Sequence, residues 1–286
     1  MKFSVLMSVY YKEKAEYLDA CLKSIETQTL SPNEIVLVED GQLNDELYQI
    51  IKNWKMRLNI KSIKLKQNSG LATALNLGLR DCSHNIVARM DTDDICVPER
   101  FEKQISYLEN HPEIDILGSQ IAEYDENMNN FLHFRNLPCS HVSILKFAKT
   151  RVPFNHMTVV FKKDQVLEVG GYAEHVIIMQ DWTLWGKLLK NKRIAANLNE
   201  VLVKARTGNE LFQRRRGLKY IEHETASIAF LYKIRFIGFF YFIFNIFIHS
   251  LIRLLPVRII KFFYSKILRT KNKTINSSNC ADKKNK

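Results

Sequence analysis

The sequence predicts an α/β fold in which helices cover both faces of a mainly parallel central sheet. Two observations in the first 90 residues support this prediction. Short aliphatic runs alternate with helical segments, and the aliphatic runs are continuous, as in strands buried on both faces. The chain of 286 residues is long enough for one such domain and an appendage. It has no Gly-x-Gly-x-x-Gly after the first run and no P-loop motif, which argues against ordinary dinucleotide-binding and P-loop proteins.

The predicted elements follow one another from the N-terminus. Short apolar runs between turns predict strands over residues 3–10, 35–38, 60–65, 86–90, 114–121, 159–161 and 195–203. Apolar residues at a spacing of three or four predict helices over residues 15–28, 43–56, 71–81, 99–110, 140–149 and 181–190. In the last of these helices the spacing of Trp182 and Trp185 indicates one buried face, so both side chains are expected in the core.

Three carboxylates, Asp91, Asp93 and Asp94, stand within four residues at the end of the strand at 86–90. Like charges this close repel one another and raise one another's pKa values. A divalent cation removes the conflict, and carboxylate oxygens suit Mg²⁺ and Mn²⁺, which also bind phosphates. Ligands of α/β proteins usually bind at the carboxyl ends of the strands. We therefore predict a metal site here; the alternative is an acidic turn before a helix that Pro98 begins.

Positive charge is concentrated near the C-terminus. The net charge of the chain is +12, and residues 225–286 hold twelve Lys or Arg and one acidic residue, which gives this segment +11. Such asymmetry indicates an anionic partner, either a membrane or a nucleic acid. Nucleic-acid binding would place basic residues among aromatic residues along a polar groove. Here the aromatic residues are packed into an apolar run, so we expect a membrane surface and no nucleic acid.

The apolar run covers residues 237–252, sixteen residues that include Asn245 and His249. A spanning helix wants about 20 apolar residues, and residues 257–268 then alternate apolar and basic residues at helical spacing. We therefore favour helices that lie in the membrane interface over a full span. The sequence pattern divides the chain into an α/β domain (1–220), a helical membrane-association region (221–269) and a disordered basic tail (270–286).

The motifs along residues 3–182 resemble those of the family 2 glycosyltransferases with a GT-A fold, a Rossmann-like architecture. More narrowly, the chain is similar to the amylovoran- and O-antigen-type enzymes, which extend a lipid-linked sugar. The matching motifs, in chain order, are Ser8-Val9-Tyr10; Val38-Glu39-Asp40-Gly41; Asn68-x-Gly70 with Ala74-x-Asn76-x-Gly78; Arg89-Met90-Asp91-Thr92-Asp93-Asp94; Pro98-Glu99-Arg100; Pro153-Phe154-Asn155-His156; Gly170-Gly171-Tyr172; and Gln180-Asp181-Trp182.

The resemblance implies a metal-dependent UDP-sugar site. Asp93 would hold the Mn²⁺ or Mg²⁺ ion that bridges the two phosphates of the donor. Asp91 would lie beside the ribose or assist the metal, whereas the alternative for Asp94 is a local capping or packing role.

The nucleotide itself would lie against the first two strands. Ser8 and Tyr10 would line the nucleotide slot, where Tyr10 could stack on the base, and Asn68 would contribute from a neighbouring loop. Asp40 would accept a hydrogen bond from the uracil ring. The alternative for Asp40 is a turn residue before Gly41.

Asp181 matches the general base of the family. One carboxylate opposite the leaving group suits a single displacement with inversion, whereas a retaining mechanism would ask for a second carboxylate as nucleophile. The family usually has Glu before this Asp, and here Gln180 removes one charge beside the base, which should leave its pKa less raised. The alternative for Asp181 is a helix N-cap.

Further residues could contact the acceptor or the diphosphate. His156 matches a stretch that the family places near the acceptor or the donor sugar; the alternative is a hydrogen-bonded structural histidine. Arg206, Arg214, Arg215 and Arg216 could bind diphosphate oxygens, or could form a solvated basic face.

Taken together, these features predict an inverting transferase of galactose or glucose. The donor would be a UDP-sugar, the acceptor a sugar–diphosphate–polyprenol, and the product part of a surface polysaccharide. The enzyme would lie on the cytoplasmic face of the bacterial inner membrane as a peripheral or monotopic protein. The alternatives are a sugar nucleotidyltransferase, or a glycosyltransferase that acts on a non-lipid acceptor.

Overall fold

The computed structural model describes residues 1–208 and 215–256 of the chain. Nine strands in this part form one sheet with helices on both faces, which confirms the predicted α/β fold. Arg214, the predicted helix over 257–268 and the predicted tail at 270–286 lie outside the described residues.

The first half of the sheet is parallel. Its strands are β1 (Phe3–Val9), β2 (Glu34–Glu39), β3 (Ile60–Lys64) and β4 (Ile86–Arg89), and the helices between them are α1 (Ala15–Glu26), α2 (Asp45–Trp54) and α3 (Leu71–Asp81). The strands lie in the order β3-β2-β1-β4. Each element agrees with the sequence prediction to within two residues at either end.

The second half of the sheet is mixed. Its strands are β5 (Ile95–Cys96), β6 (Ile116–Tyr124), β7 (Phe131–Arg135), β8 (Val160–Lys162) and β9 (Ala195–Arg206). Its helices are α4 (Arg100–Asn110), α5 (His141–Ala148), a 3₁₀ turn (His156–Thr158), α6 (Lys163–Glu168) and α7 (Gln180–Lys190). The strand β8 runs antiparallel to both β4 and β6, while β9 runs parallel to β6. The two remaining strands are antiparallel, β5 to β9 and β7 to β6.

Three of these elements, β5, β7 and α6, are absent from the sequence prediction. The strand β5 has two residues and α6 has six, too few to display a period. The strand β7 forms a hairpin with β6, and no residue of β7 is fully buried, so it lacks the aliphatic run that identifies the other strands. The direction of a strand is also not encoded in its hydrophobic pattern, which explains why a mainly parallel sheet was expected.

The core lies on both faces of the sheet, and the residues of β1 show how it is divided. Val5 and Met7 pack with α1, α2 and α4 on one face. Leu6 points to the opposite face, where α3, α5 and α7 pack. Trp182 and Trp185 of α7 are both fully buried in this second layer, as predicted. The helix that carries Asp181 is therefore packed on the sheet.

Two glycines of the sequence motifs permit close packing. A Cβ on Gly78 would lie 2.5 Å from Leu6 Cδ1, so glycine lets α3 approach the sheet. Gly171 has a φ of +60°, and a Cβ there would lie 2.3 Å from Asn76 Oδ1. The Asn76 side chain accepts from the backbone N–H of Tyr172 at 2.8 Å and donates to its carbonyl at 2.9 Å. The glycines and Asn76 thus fix Tyr172 beside α3.

Two further helices, α8 (Leu218–Lys233) and α9 (Phe239–Leu254), follow the sheet. Ile228 and Leu231 of α8 are fully buried in the same layer as α7. A Cβ on Gly186 of α7 would lie 2.4 Å from Leu231 Cδ2, so the two helices are in close contact. The proposed boundary at residue 220 marks a change in sequence pattern, and the packing continues across it.

The polar residues of α9 face the protein together with Phe242 and Ile246, and most of its other apolar residues are exposed. Asn245, His249 and Arg253 recur at a spacing of four, and the Asn245 side chain donates to the Lys149 carbonyl at 2.8 Å. Arg253 donates to both oxygens of Glu224 at 2.8 and 2.9 Å, and His249 lies 2.8 Å from the same carboxylate. The exposed apolar side chains of α9 are Phe239, Phe240, Tyr241, Ile243, Phe244, Phe247, Leu251 and Leu254. Across residues 1–208 and 215–256, no helix is both long and apolar enough to cross a membrane.

We predict that Glu224→Ala lowers the free energy of unfolding by about 3–5 kcal/mol, because it removes the buried carboxylate that pairs with Arg253 and His249. Urea unfolding of the full chain measures the loss. Glu222→Ala, on an exposed part of the same helix, is the matched control and should change stability by less than about 0.5 kcal/mol. Equal effects of the two substitutions would contradict this account of the α8–α9 pairing.

The same ion pairs make this contribution dependent on pH. Burial alone would raise the pKa of Glu224, but hydrogen bonds from Arg253 and His249 outweigh burial and lower the pKa from 4.5 to about 2. The stabilisation is therefore present above pH 4.5 and lost as the pH falls from 4.5 towards 2. The difference in stability between the native chain and Glu224→Ala should shrink over that window.

Candidate active site

The carboxyl ends of three neighbouring strands, β1, β2 and β4, bring the predicted nucleotide residues to one edge of the sheet. Ser8 is partly buried near the end of β1, and Tyr10 is 39% exposed just beyond it. Asp40 follows β2 directly and Asp91 follows β4 by two residues. Asn68, in the exposed loop after β3, donates to the Asp40 carbonyl at 3.3 Å. The edge therefore offers an exposed aromatic ring beside polar groups.

The Asp40 carboxylate holds the loop that leads into α3. One oxygen accepts from the backbone N–H of Ser69 at 2.7 Å, and the other accepts from that of Gly70 at 3.0 Å. The side chain is only 3% exposed. These contacts are those of a loop-organising residue, although each carboxylate oxygen has a second lone pair. Contact between Asp40 and a uracil ring stays a prediction.

The carboxylate oxygens of the acidic cluster fit a cation site. Asp91, Asp93 and Asp94 each offer a carboxylate oxygen, and these three atoms lie within 4.8 Å of one another. Burial, followed by repulsion from Asp91 and Glu13, raises the pKa of Asp93 to about 7. Burial and the neighbouring carboxylates also hold the pKa of Asp94 well above its usual 3.8. Hard oxygen donors that repel one another fit a divalent ion such as Mn²⁺ or Mg²⁺.

The three carboxylates differ in their surroundings. Asp91 and Asp93 are partly buried, whereas Asp94 is 2% exposed and accepts from the backbone N–H of Arg206 at 2.8 Å. Asp94 therefore ties the acidic loop to the end of β9. Asp91 and Asp93 are the more accessible ligands of the cluster.

A fourth carboxylate, Glu13, lies beside the cluster and is absent from the sequence prediction. Glu13 Oε2 accepts from the Thr92 hydroxyl at 2.5 Å. Burial raises the pKa of Glu13, and the charge of Asp91 raises it further. In the sequence Glu13 stands between Lys12 and Lys14, a pattern typical of a solvated loop. The neighbouring residues therefore do not predict that Glu13 lies beside the acidic cluster.

Arg100 fixes the backbone at the start of the acidic loop. The side chain is fully buried in α4, and Nη2 donates to the Arg89 carbonyl at 2.8 Å. Its Nε donates to Gln104 Oε1 at 3.0 Å, which orients the guanidinium. These bonds give the Arg of the Pro98-Glu99-Arg100 motif a positioning role.

Arg206 fixes the other end of the loop. Its Nε donates to the Asp93 carbonyl at 3.0 Å, and Nη1 donates to the Glu126 carbonyl. The guanidinium lies 3.8 Å from the centre of the Tyr17 ring. These contacts hold the loop from the side of β6 and β7, and the predicted contact of Arg206 with a diphosphate stays a prediction.

Asp181 lies in the first turn of α7 and is partly buried. The N-cap position is occupied by Met179, which has a φ of +56°, so Asp181 is not the N-cap residue. Burial raises the pKa of Asp181, and the charges of Arg135, Arg89 and Arg215 partly oppose that rise. A carboxylate with a raised pKa beside cations is suited to accept a proton.

Gln180 takes part in the turn before Asp181. Its Nε2 donates to the Ile177 carbonyl, and the left-handed Met179 lies between the two residues. The bond helps to set the direction in which the chain enters α7.

His156 has a structural environment. Its Nε2 lies 2.8 Å from the Tyr172 hydroxyl, and its ring packs edge-on against Tyr172 and Trp185. Burial, assisted by the charge of Arg89, lowers the pKa of His156 well below 6.5. A neutral imidazole in this position orients Tyr172 on the wall of the site. Its predicted contact with a sugar is untested.

The predicted arginines after β9 are described only in part. Arg215 is exposed and close enough to Asp181 for its charge to lower the pKa of that carboxyl, while Arg216 is partly buried. Arg135 of β7 has the same electrostatic effect on Asp181 and was not predicted. Cations from two separate segments thus lie near Asp181.

The sequence matches a family model described as glycosyl transferase family 2 over residues 4–168. The chain is 44% identical to the amylovoran biosynthesis glycosyltransferase AmsE of Erwinia amylovora over 264 residues, which are 92% of this chain and 98% of that protein. It is 38% identical over 268 residues to the UDP-Gal:alpha-D-GlcNAc-diphosphoundecaprenol beta-1,3-galactosyltransferase of Escherichia coli, with 94% of this chain and 97% of that protein covered.

Two solved structures share the fold at low sequence identity. Residues 1–349 of S. aureus TarS in complex with UDP-GlcNAc give a TM-score of 0.63 at 20% identity, covering 80% of this chain and 66% of that one. The mannosyltransferase PcManGT from Pyrobaculum calidifontis, in complex with GDP-Man and Mn²⁺, gives 0.63 at 19% identity, covering 82% and 64%. These likenesses support the GT-A-like architecture.

We predict that Asp93→Asn weakens Mn²⁺ binding by at least about tenfold. Loss of a group that only orients a metal ligand typically weakens binding by about this factor, and Asp93 is predicted to contact the ion itself. Electron paramagnetic resonance of free Mn²⁺ during titration measures the affinity. Asp81→Asn, at the exposed end of α3, is the control and should bind Mn²⁺ normally. Since the pKa of about 7 belongs to the metal-free carboxyl, Mn²⁺ must displace a proton at lower pH, and the affinity should fall as the pH drops below about 7. Equal Mn²⁺ binding by the two variants would contradict the assignment.

Proposed function

Because the chain belongs to the family 2 glycosyltransferases, it is a glycosyltransferase, and we propose that it transfers galactose or glucose from a UDP-sugar to a sugar–diphosphate–polyprenol with inversion. One observation carries the proposal. Arg89 pairs with Asp91 of the acidic cluster and is near enough to Asp181 to lower the pKa of that carboxyl. The proposed cation site and the proposed base thus both lie near one buried guanidinium, an arrangement that fits a donor sugar between leaving group and base.

In the proposed reaction Asp181 accepts the proton of the acceptor hydroxyl as its oxygen attacks the anomeric carbon. The new carbon–oxygen bond forms as the bond to the diphosphate breaks, and UDP leaves. A divalent ion held by Asp91 and Asp93 would neutralise charge on the leaving diphosphate. Arg100 and Arg206 keep the acidic loop in place, and burial of Trp182 and Trp185 keeps α7 rigid. One base and one displacement give inversion.

The names of two relatives support the choice of substrates. One relative is named as a transferase from UDP-Gal to GlcNAc-diphosphoundecaprenol, and another as an enzyme of amylovoran biosynthesis. We therefore propose a lipid-linked sugar diphosphate as acceptor and a surface polysaccharide as the destination of the product. Family membership removes the alternative of a sugar nucleotidyltransferase, and a glycosyltransferase acting on a non-lipid acceptor is the remaining alternative.

We further propose that α9 lies in the interface of the cytoplasmic membrane, which makes the enzyme peripheral or monotopic. In a helix on the surface of a water-soluble protein, the polar residues face the solvent. In α9 Asn245, His249 and Arg253 face the protein, while most of the aromatic residues are exposed, with Phe240 88% exposed. The +11 charge of residues 225–286 adds attraction to an anionic leaflet.

We predict that Asp181→Asn lowers kcat by at least about 10²-fold, the loss typical of a general base. The amide keeps the shape of the side chain but loses the basicity of the carboxylate. Release of UDP is measured with UDP-galactose and UDP-glucose, Mn²⁺ and a synthetic lipid-diphosphate sugar. UDP affinity, measured by calorimetry, should stay near normal. Asp164→Asn, an exposed aspartate in the first turn of α6, is the control.

The pH profile gives a second readout for the same residue. Because the base must be ionised, kcat/KM should rise with pH through the raised pKa of Asp181. Gln180→Glu adds a negative charge beside the base and should move this acid limb to higher pH. A loss of UDP affinity in Asp181→Asn as large as the loss of kcat would instead identify Asp181 as structural.

For the membrane proposal, the double substitution Phe240→Glu and Phe247→Glu should weaken binding to phosphatidylcholine–phosphatidylglycerol vesicles, because both rings are exposed on α9 and their burial would be lost. Flotation measures the bound fraction. Met56→Glu, which replaces a 78% exposed residue beyond α2, should bind as the native chain does. High salt should release only part of the protein if charge and apolar burial both act. Unchanged flotation of the double variant would rule out α9 as the contact.

A further inference from the structure

Arg89 is a buried cation whose hydrogen bonds are incomplete. It is the last residue of β4, and its side chain is 2% exposed. Its Nη2 pairs with Asp91. Its Nε and Nη1 have no hydrogen-bond partner within the part of the chain that the structure describes. Buried N–H donors without an acceptor are unfavourable, and more so when the group is charged. A ligand that supplies oxygen atoms would remove this penalty.

The position of Arg89 identifies where such a ligand would lie. Side chains alternate along a strand, so Arg89 points to the same face as Val87, which packs in the layer of α7. The charge of Arg89 also acts on the pKa values of Tyr172, His156 and Asp181. The guanidinium therefore lies among the acidic loop, the Tyr172–His156 pair and the base.

This location corresponds to one part of the substrate. In a single displacement the donor hexose lies between the leaving diphosphate and the acceptor hydroxyl. The proposed cation site marks the diphosphate side and Asp181 marks the acceptor side. Arg89 pairs with Asp91 of the first and lies near the second, so it is placed to contact the hexose. The charge of Arg89 is already paired with Asp91. The remaining N–H donors can therefore bind neutral acceptors such as the hydroxyl oxygens of a sugar.

We propose that Arg89 binds the donor sugar, donating from Nε and Nη1 to hydroxyl oxygens of the hexose, while Asp91 orients the guanidinium. Arg89 is then a residue that selects and positions the sugar, distinct in role from the groups that bind the nucleotide. The proposal rests on the proposed function and specifies which chain residue recognises the hexose.

The first test uses the native chain and UDP-galactose or UDP-glucose analogues that each lack one hydroxyl. Competition against UDP with Mn²⁺ measures their affinities. Removing a hydroxyl that Arg89 contacts should weaken binding by at least about tenfold, as expected for a hydrogen bond to a charged group. If every deoxy analogue binds as the parent sugar nucleotide does, the assignment of Arg89 is wrong. If the chain binds no UDP-sugar at all, the proposed function fails as well.

The second test uses Arg89→Met and Arg89→Lys. Both should weaken binding of the parent UDP-sugar more than binding of UDP. The additional loss for the UDP-sugar should be at least about tenfold for Met and less for Lys. In Arg89→Met the affected deoxy analogue should show no further loss, because the contact is already absent. Equal losses for UDP and UDP-sugar would mean that Arg89 contacts the diphosphate. If a variant fails to fold, the deoxy series on the native chain still decides the question.

Discussion

The repulsion among the crowded carboxylates that follow β4 is the constraint on which the rest of the site depends. Asp91, Asp93 and Asp94 offer oxygens within 4.8 Å of one another, and Glu13 approaches them through Thr92. Such a cluster persists only if the surrounding structure holds it and cations compensate it. Buried Arg100 fixes one end of the loop, Arg206 fixes the other, and Arg89 pairs with Asp91. A bound divalent ion would supply the remaining compensation.

One helical layer of the fold connects α7, which carries Asp181, with α8 and α9. Trp182 follows Asp181 directly, donates to the Ala148 carbonyl at 2.7 Å and stacks on His249 of α9. In addition, Ser227 of α8 donates to the Ile178 carbonyl, three residues before the base, at 2.8 Å. The helices proposed to contact the membrane are therefore packed directly against the helix that carries the base, which suits an enzyme whose proposed acceptor is held by a lipid.

The sequence predicts the parts of this protein that are repetitive or concentrated, and misses those that depend on partners distant in the chain. Aliphatic runs identify β1 to β4, and three adjacent carboxylates identify the acidic loop. The antiparallel half of the sheet was not expected because hydrophobicity does not encode strand direction. Glu13 resembles a surface residue until the fold places it beside Thr92. Asn245 and His249 read as interruptions of an apolar run, although they are the residues that attach α9 to the protein.

The central claim is that one cation site and one base, Asp181, carry out a single displacement at the anomeric carbon of a UDP-hexose. The most direct measurement is the configuration of the product formed from an α-linked UDP-sugar, Mn²⁺ and a synthetic GlcNAc-diphosphate lipid. The coupling between H1 and H2 in the proton NMR spectrum of the isolated product reports that configuration. The account predicts the large coupling of a β-linked hexose. A small coupling, from an α-linked hexose, would contradict it.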